Sequence, residues 1–88
     1  MFVTDIGITT YGIAATAAAC EVVYINFSKS KPTAFVIMHV WFNQALKDGG
    51  APILHQENYE IHVEELQNGD AYEKAEDWIR ANVERYAI

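Results

Sequence analysis

The most hydrophobic run of the chain is Ala34-Phe35-Val36-Ile37-Met38-His39-Val40-Trp41-Phe42. Side chains of a strand alternate between two faces, and in this run both alternating sets are apolar. One set is Phe35, Ile37 and Trp41, and the other is Val36, Met38, Val40 and Phe42. Apolar residues on both sides are typical of a strand that is covered on both faces. We therefore predict a central strand over residues 33–43.

The segments around this strand predict an antiparallel meander. Residues 13–27 end in β-branched and aromatic residues, which favours a long or bulged strand. The polar stretch 28–32 has the length of a hairpin loop. Residues 44–54 contain two glycines and a proline, typical of a loop, with a helical turn at 43–47. Residues 56–65 alternate between apolar and polar side chains, which indicates a half-solvated antiparallel strand.

The C-terminal segment predicts an amphipathic helix. Asp70 is a suitable N-cap, and Glu73 follows it at the capping-box spacing. Arg80 and Arg85 lie late in the helix, where they complement its dipole, and Glu76 precedes Arg80 by one turn. The apolar stripe consists of Ala71, Tyr72, Ala75, Trp78, Ile79, Asn82, Val83 and Tyr86. The predicted fold is α+β: a small antiparallel β-meander of three to four strands with one C-terminal helix packed on a face, forming a single domain over residues 1–88.

One helix can cover only one face of this sheet, so the second apolar face of the central strand needs another cover. Burying each of its large side chains contributes about 1.5–3 kcal/mol, a substantial part of the stability of a small domain. A neighbouring subunit is the expected cover, and residues 1–18 folded over this face in a monomer are the alternative. The predicted interface residues are Val36, Met38, Val40, Phe42 and Tyr24.

The charge is concentrated at one end of the chain. The net charge is −6, and nine of the twelve acidic residues but only three of the six basic ones follow residue 56. This acidic third would repel a phosphate backbone, so we expect no nucleic-acid partner. Two interpretations stay open: a solvated face that keeps the protein soluble, or a surface that binds a basic partner or mimics DNA.

The sequence offers no convincing catalytic or metal-binding pattern. Cys20 is the only cysteine, which excludes an intrachain disulfide and a cysteine zinc site. His62 with Glu60 or Glu64 is interpreted as part of a solvated edge, and His39 as a hydrogen-bonded core or interface residue. No run reaches the roughly 20 apolar residues of a membrane-spanning helix. We expect no enzyme activity, no cofactor, no metal, no membrane association and no small-molecule substrate.

Residues 31–53 resemble small structural proteins of tailed bacteriophages, which combine a turn, a long hydrophobic strand and a short segment ending in Gly-x-x-Pro-aliphatic. A strand like residues 58–63 and a helix beginning like 70–73 follow in those proteins, so the resemblance spans about residues 20–75. It implies a β-rich virion component of the tail, baseplate or tail-fibre attachment region, assembled in the host cytoplasm. Its partners would be further copies of itself and other virion proteins. The alternative is a small acidic phage-encoded inhibitor of a host or defence protein.

Overall fold

Four strands form one antiparallel sheet whose order in space follows their order in the chain. The computed structural model describes residues 1–8 and 13–83. The strands are β1 (Phe2–Ile8), β2 (Ile13–Phe27), β3 (Thr33–Trp41) and β4 (His55–His62). The sheet has the order β1-β2-β3-β4, so β3 lies between two partners and β4 is at an edge. The predicted antiparallel meander is confirmed, with four strands.

Two helices and one 3₁₀ turn complete the described chain. Helix α1 (Gln44–Asp48) follows β3, and its N-cap Asn43 accepts a hydrogen bond from the Leu46 amide. A 3₁₀ turn (Val63–Leu66) replaces the last residues of the strand predicted over residues 56–65 and brings Leu66 into the core. Helix α2 (Ala71–Asn82) is the predicted C-terminal helix. The predicted α+β class is therefore confirmed.

The core lies between α2 and one face of the sheet. Residues directly opposite each other in neighbouring strands share a face, and Met38 lies between Val22 on β2 and Glu57 on β4. Val36, Met38 and Val40 are fully buried on this face. They belong to one hydrophobic cluster with Ala75 and Ile79 of α2.

This arrangement corrects the predicted interface, because Val36, Met38 and Val40 are buried within the chain itself and are not left for a partner. Alternation showed that both faces of β3 are apolar but not which one the helix covers. The buried set has no hydrogen-bonding side-chain group. The opposite set includes His39 and Trp41, whose ring nitrogens would need partners if buried.

The N-terminal residues widen the sheet. Within the described part, β1 pairs along β2 from Phe2↔Cys20 to Ile8↔Ile13. Phe2 and Ile6 join the same core cluster that α2 covers. The alternative that residues 1–18 fold across a face of the sheet is therefore wrong for the residues described, since these residues extend the sheet sideways.

Strand β2 is long and bulged, as predicted. Its register with β1 shifts between Thr4 and Ile6. Close to that shift, Ala17 has a φ of 56°, and its amide donates a hydrogen bond to Asp5 Oδ1 at 2.7 Å. The register with β3 shifts between Val22 and Tyr24. Bulges of this kind bend a strand and strengthen its twist, which lets a long strand follow a curved core.

Helix α2 begins as predicted but presents a narrower apolar stripe. Asp70 Oδ1 accepts a hydrogen bond from the Tyr72 amide at 2.9 Å, so Asp70 is the N-cap. Ala75 and Ile79 are buried, and Trp78 is partly buried against the core. The prediction is wrong for Tyr72 and Asn82, which are exposed. Tyr86 and Arg85 lie outside the described residues.

Neighbouring substitutions in β3 test which face is the core. Met38→Ala removes a fully buried side chain, so we expect the free energy of unfolding to fall by about 2–5 kcal/mol. Ile37→Ala removes a half-buried side chain on the opposite face, and we expect a loss of about 1 kcal/mol. Urea unfolding followed by circular dichroism measures both. A larger loss for Ile37→Ala would reverse the assignment of the faces.

Candidate protein-interaction surface

The side of the sheet opposite α2 carries exposed aromatic and aliphatic side chains at its centre. We call this side the open face and define it by Tyr24, Asn26, Phe35, Ile37, His39, Gln56, Asn58 and Glu60. Tyr24 is 47% exposed and Phe35 is 39% exposed, although both lie on inner strands. Inner strands carry a continuous surface, so these side chains form one patch and are not scattered.

Cross-strand pairing brings this patch together. Tyr24 on β2 is directly opposite Ile37 on β3, and Ile37 is opposite Asn58 on β4. Phe35 lies between Asn26 and Glu60 in the same way. The result is an apolar centre on β2 and β3 with a polar border on β4, the composition that a protein-binding surface has at its core and rim.

The polar side chains of the border form hydrogen bonds with one another. His39 Nε2 lies 3.2 Å from Gln56 Oε1, and Gln56 Nε2 donates to Asn58 Oδ1 at 3.2 Å. His39 is thus hydrogen-bonded, as interpreted from the sequence, and its ring also makes an edge contact with Trp41 at 5.8 Å. Amide groups that already have partners lose less free energy when a docked protein excludes water from them.

Helix α1 and the loop after it cover one end of this side of the sheet. The Trp41 ring nitrogen donates to the Ala51 carbonyl at 3.2 Å, and Lys47 Nζ lies 5.1 Å from the centre of the Trp41 ring. Lys47 Nζ is also 3.5 Å from Glu21 Oε1. These contacts separate Trp41 from the open face, so the exposed patch begins at His39 and extends toward the hairpin that joins β2 and β3.

Two of the predicted interface residues remain accessible. Tyr24 is at the centre of the open face. Phe42 is 43% exposed, but it follows the last residue of β3 and precedes the N-cap of α1. Phe35 and Ile37 belong to the surface but were assigned to the covered face from the sequence. The polar atoms of His39 and Trp41 are the sequence signal that could have indicated the correct side.

A buried carboxylate links α2 to the sheet. Glu76 is 7% exposed, and its Oε2 accepts a hydrogen bond from the Val22 amide at 3.0 Å, beside the bulge. Its Oε1 lies 2.5 Å from the Met1 ammonium. The sequence suggested that Glu76 pairs with Arg80, but Arg80 lies over the Phe2 ring, 5.4 Å from its centre. Glu76 therefore bonds to β2 and to the start of the chain.

We expect Glu76→Ala to lower the free energy of unfolding by about 2–4 kcal/mol. The substitution leaves the Val22 amide and the Met1 ammonium without their buried partner. Glu73→Ala, on the exposed side of the same helix, is the matched control and should change stability by less than about 0.5 kcal/mol. Thermal and urea unfolding measure both variants. If the two substitutions lowered the free energy of unfolding equally, a structural role for Glu76 would be contradicted.

A second polar cluster, which contains Glu57, lies on the helix side of β4. Tyr59 donates to Glu57 Oε2 at 2.8 Å, and His55 Nε2 lies 3.6 Å from Glu57 Oε1. Burial raises the pKa of the Cys20 thiol to about 12, and the negative charges of Glu57 and Glu76 contribute. The thiol therefore stays protonated at neutral pH, which makes it a poor nucleophile.

The raised pKa predicts a loss of stability in alkaline solution. The unfolded chain releases the Cys20 proton near pH 9, whereas the folded chain holds it to about pH 12. The contribution of Cys20 is therefore fully present below about pH 9 and is lost as the pH rises toward 12. We expect the free energy of unfolding to fall more steeply over this interval in the wild type than in Cys20→Ala. If the free energy of unfolding fell equally with pH in the two proteins, burial would not raise the pKa of this thiol.

The described residues include neither a metal-binding cluster nor a helix suited to a membrane. In residues 1–8 and 13–83, no three His, Cys, Asp or Glu side chains lie together as a metal site would require. His62 and Glu60 are both exposed. Neither helix of that part of the chain has the length and apolar character needed to cross a bilayer. No protein-family model, no curated protein and no solved structure matches this chain.

Proposed function

We propose that this chain is a non-catalytic structural subunit that binds other proteins through the open face of its sheet. The observation that carries the proposal is the exposure of Tyr24, Phe35 and part of Ile37 on two inner strands. Aromatic side chains at the centre of a patch are the usual anchors of a protein interface. Fully burying a large apolar side chain contributes about 1.5–3 kcal/mol, so covering these partly exposed side chains would contribute part of that free energy to docking.

The described polar clusters have structural roles in this proposal. The Glu76 carboxylate binds the Val22 amide, and the Cys20 thiol is protonated and buried. The polar side chains on the open face bond to each other. The proposal therefore assigns no residue to catalysis and assigns the open face to binding.

We further propose that this chain is a repeated subunit of the tail or baseplate in the virion of a tailed bacteriophage. The resemblance to small structural phage proteins supports this step. Its segments correspond to β3 with α1 and the following loop, to β4, and to the start of α2. Most of the open face belongs to the same segments, so the part of the chain that carries the resemblance also carries the proposed binding surface.

The acidic outer side of α2 favours a second candidate function. Glu73 and Asp77 are exposed on this helix, and Asp70, Glu64 and Glu65 are exposed just before it. Such a surface suits an inhibitor that binds a basic protein. Binding of that kind weakens strongly with salt, because the interacting charges are exposed.

Mass spectrometry of purified particles tests the proposal. We expect the wild-type chain to be present in particles of the phage that encodes it. Phe35→Glu should reduce its incorporation at least about tenfold, because a charge at the centre of the patch must be desolvated on docking. Tyr72→Glu, at an equally exposed aromatic residue on α2, should be incorporated normally.

The folded state of both variants is checked by circular dichroism. A folded wild-type chain that is absent from particles would contradict the virion assignment. If that chain instead bound a basic protein and released it at high salt, the inhibitor function would replace the virion assignment. Equal incorporation of Phe35→Glu and Tyr72→Glu would contradict binding through the open face.

A further inference from the structure

We propose that the occupant of the open face is a second copy of this chain, so that two sheets stack face to face about a two-fold axis. This inference rests on the proposed function, which assigns the face to protein binding, and it names the partner. In such a dimer the same patch meets itself, with Tyr24, Phe35 and Ile37 of each copy in the middle of the interface.

The distribution of charge is the first argument for a second copy. Glu60 is the one acidic residue in the set that defines the open face, and the basic Lys31 lines a cleft together with Glu60 and Phe35. Glu21, which is opposite His39 on β2, also lies on this side of the sheet, and it forms an ion pair with Lys47. The face is therefore close to neutral, in a chain whose net charge is −6.

The negative charge of the described chain is concentrated on the opposite side. Residues 63–83, which contain the 3₁₀ turn and α2, hold six acidic and two basic residues. One of the acidic residues, Glu76, is buried and paired with the Met1 ammonium, and the other five are exposed. Two copies that met through α2 would bring these like charges together, which is unfavourable.

A face-to-face dimer keeps the acidic surfaces apart. Stacked sheets lie about 10 Å from each other. A helix is about 10 Å in diameter, so an α2 packed on the outer side of each sheet has its axis about 10 Å further out. The two helices would then be about 30 Å apart, several times the Debye length of about 8 Å at physiological salt. The open face is thus a described surface on which two negatively charged copies can meet with little repulsion between their acidic helices.

The internal bonding of the polar border is the second argument. His39, Gln56 and Asn58 form a line of hydrogen bonds along one side of the patch. A polar partner protein would have to offer donors and acceptors to compete with these bonds. A second copy brings the same satisfied border and an apolar centre, so the interface needs no new polar pairs.

Sedimentation equilibrium of the purified chain measures the association. We expect the wild type to have about twice the monomer mass of 9.9 kDa. Tyr24→Glu should raise the dimer Kd at least about thirtyfold, the effect of losing a central aromatic anchor. Tyr72→Glu is the matched control, because Tyr72 is 45% exposed against 47% for Tyr24. It should change the Kd by less than about threefold.

The salt dependence of the association distinguishes a neutral apolar interface from one that is held by exposed charges. Raising salt from about 0.1 M to about 1 M shortens the Debye length from about 10 Å to about 3 Å. An interface through the neutral open face should be equally tight or tighter at high salt. A dimer that dissociates at high salt would be held by exposed charges and would overturn the inference.

Spin labels report the geometry of the dimer. Asn58→Cys places a label on the open face, and Asp77→Cys places one on the exposed side of α2. The buried, protonated Cys20 should not compete for the label. We expect a shorter distance between the two copies for the Asn58 label than for the Asp77 label, and the loss of both distances in the Tyr24→Glu background.

A monomeric wild type at the highest soluble concentration would overturn the inference. So would a dimer in which the Asp77 labels are closer together than the Asn58 labels. If the monomeric chain still enters particles through the open face, the proposed function stands and only the second copy is rejected. A face-to-face dimer that is absent from particles would support this inference and contradict the virion assignment.

Discussion

The structure depends on the burial of one face of β3 under a single helix. Val36, Met38 and Val40 have no exposed surface, and α2 supplies Ala75 and Ile79 to the same cluster. The chain has one long helix in its described part, so only one side of the sheet receives this cover. The helix covers the set without polar groups, because burying His39 and the Trp41 nitrogen there would require partners.

Glu76 adds polar contacts to this apolar packing. It is buried in the interface between α2 and β2, and it accepts the Val22 amide beside the bulge. A buried carboxylate is stabilising only when its oxygens are bonded, and here both are. The negative charge of Glu76 also contributes, after burial and Glu57, to the raised pKa of Cys20, so the carboxylate that holds the helix on the sheet also helps to keep that thiol protonated.

Because helix α2 covers only one side of the sheet, the molecule has two different surfaces. The helix side carries most of the exposed acids, whereas the open face carries Tyr24 and Phe35 and little charge. The acidic side favours solubility and repels other copies of the chain. The open face has an apolar centre and a bonded polar border. This separation is the physical basis for assigning binding to the open face and for inferring that two copies stack there.

The sequence by itself determined strands β2, β3 and β4, the turns and the capped helix, because these depend on local spacing, whereas β1 was not predicted as a strand. The alternation of residues 56–65 predicted which side chains of β4 point inward, and Asp70 predicted the start of α2. Only the tertiary structure decided which face of β3 the helix covers, since period-two alternation is the same for either choice. That choice moved the candidate interface from Val36, Met38 and Val40 to Phe35 and Ile37 beside Tyr24. The role of Glu76 also needed the fold, because its partner Val22 is distant in the sequence and close only when helix and sheet pack together.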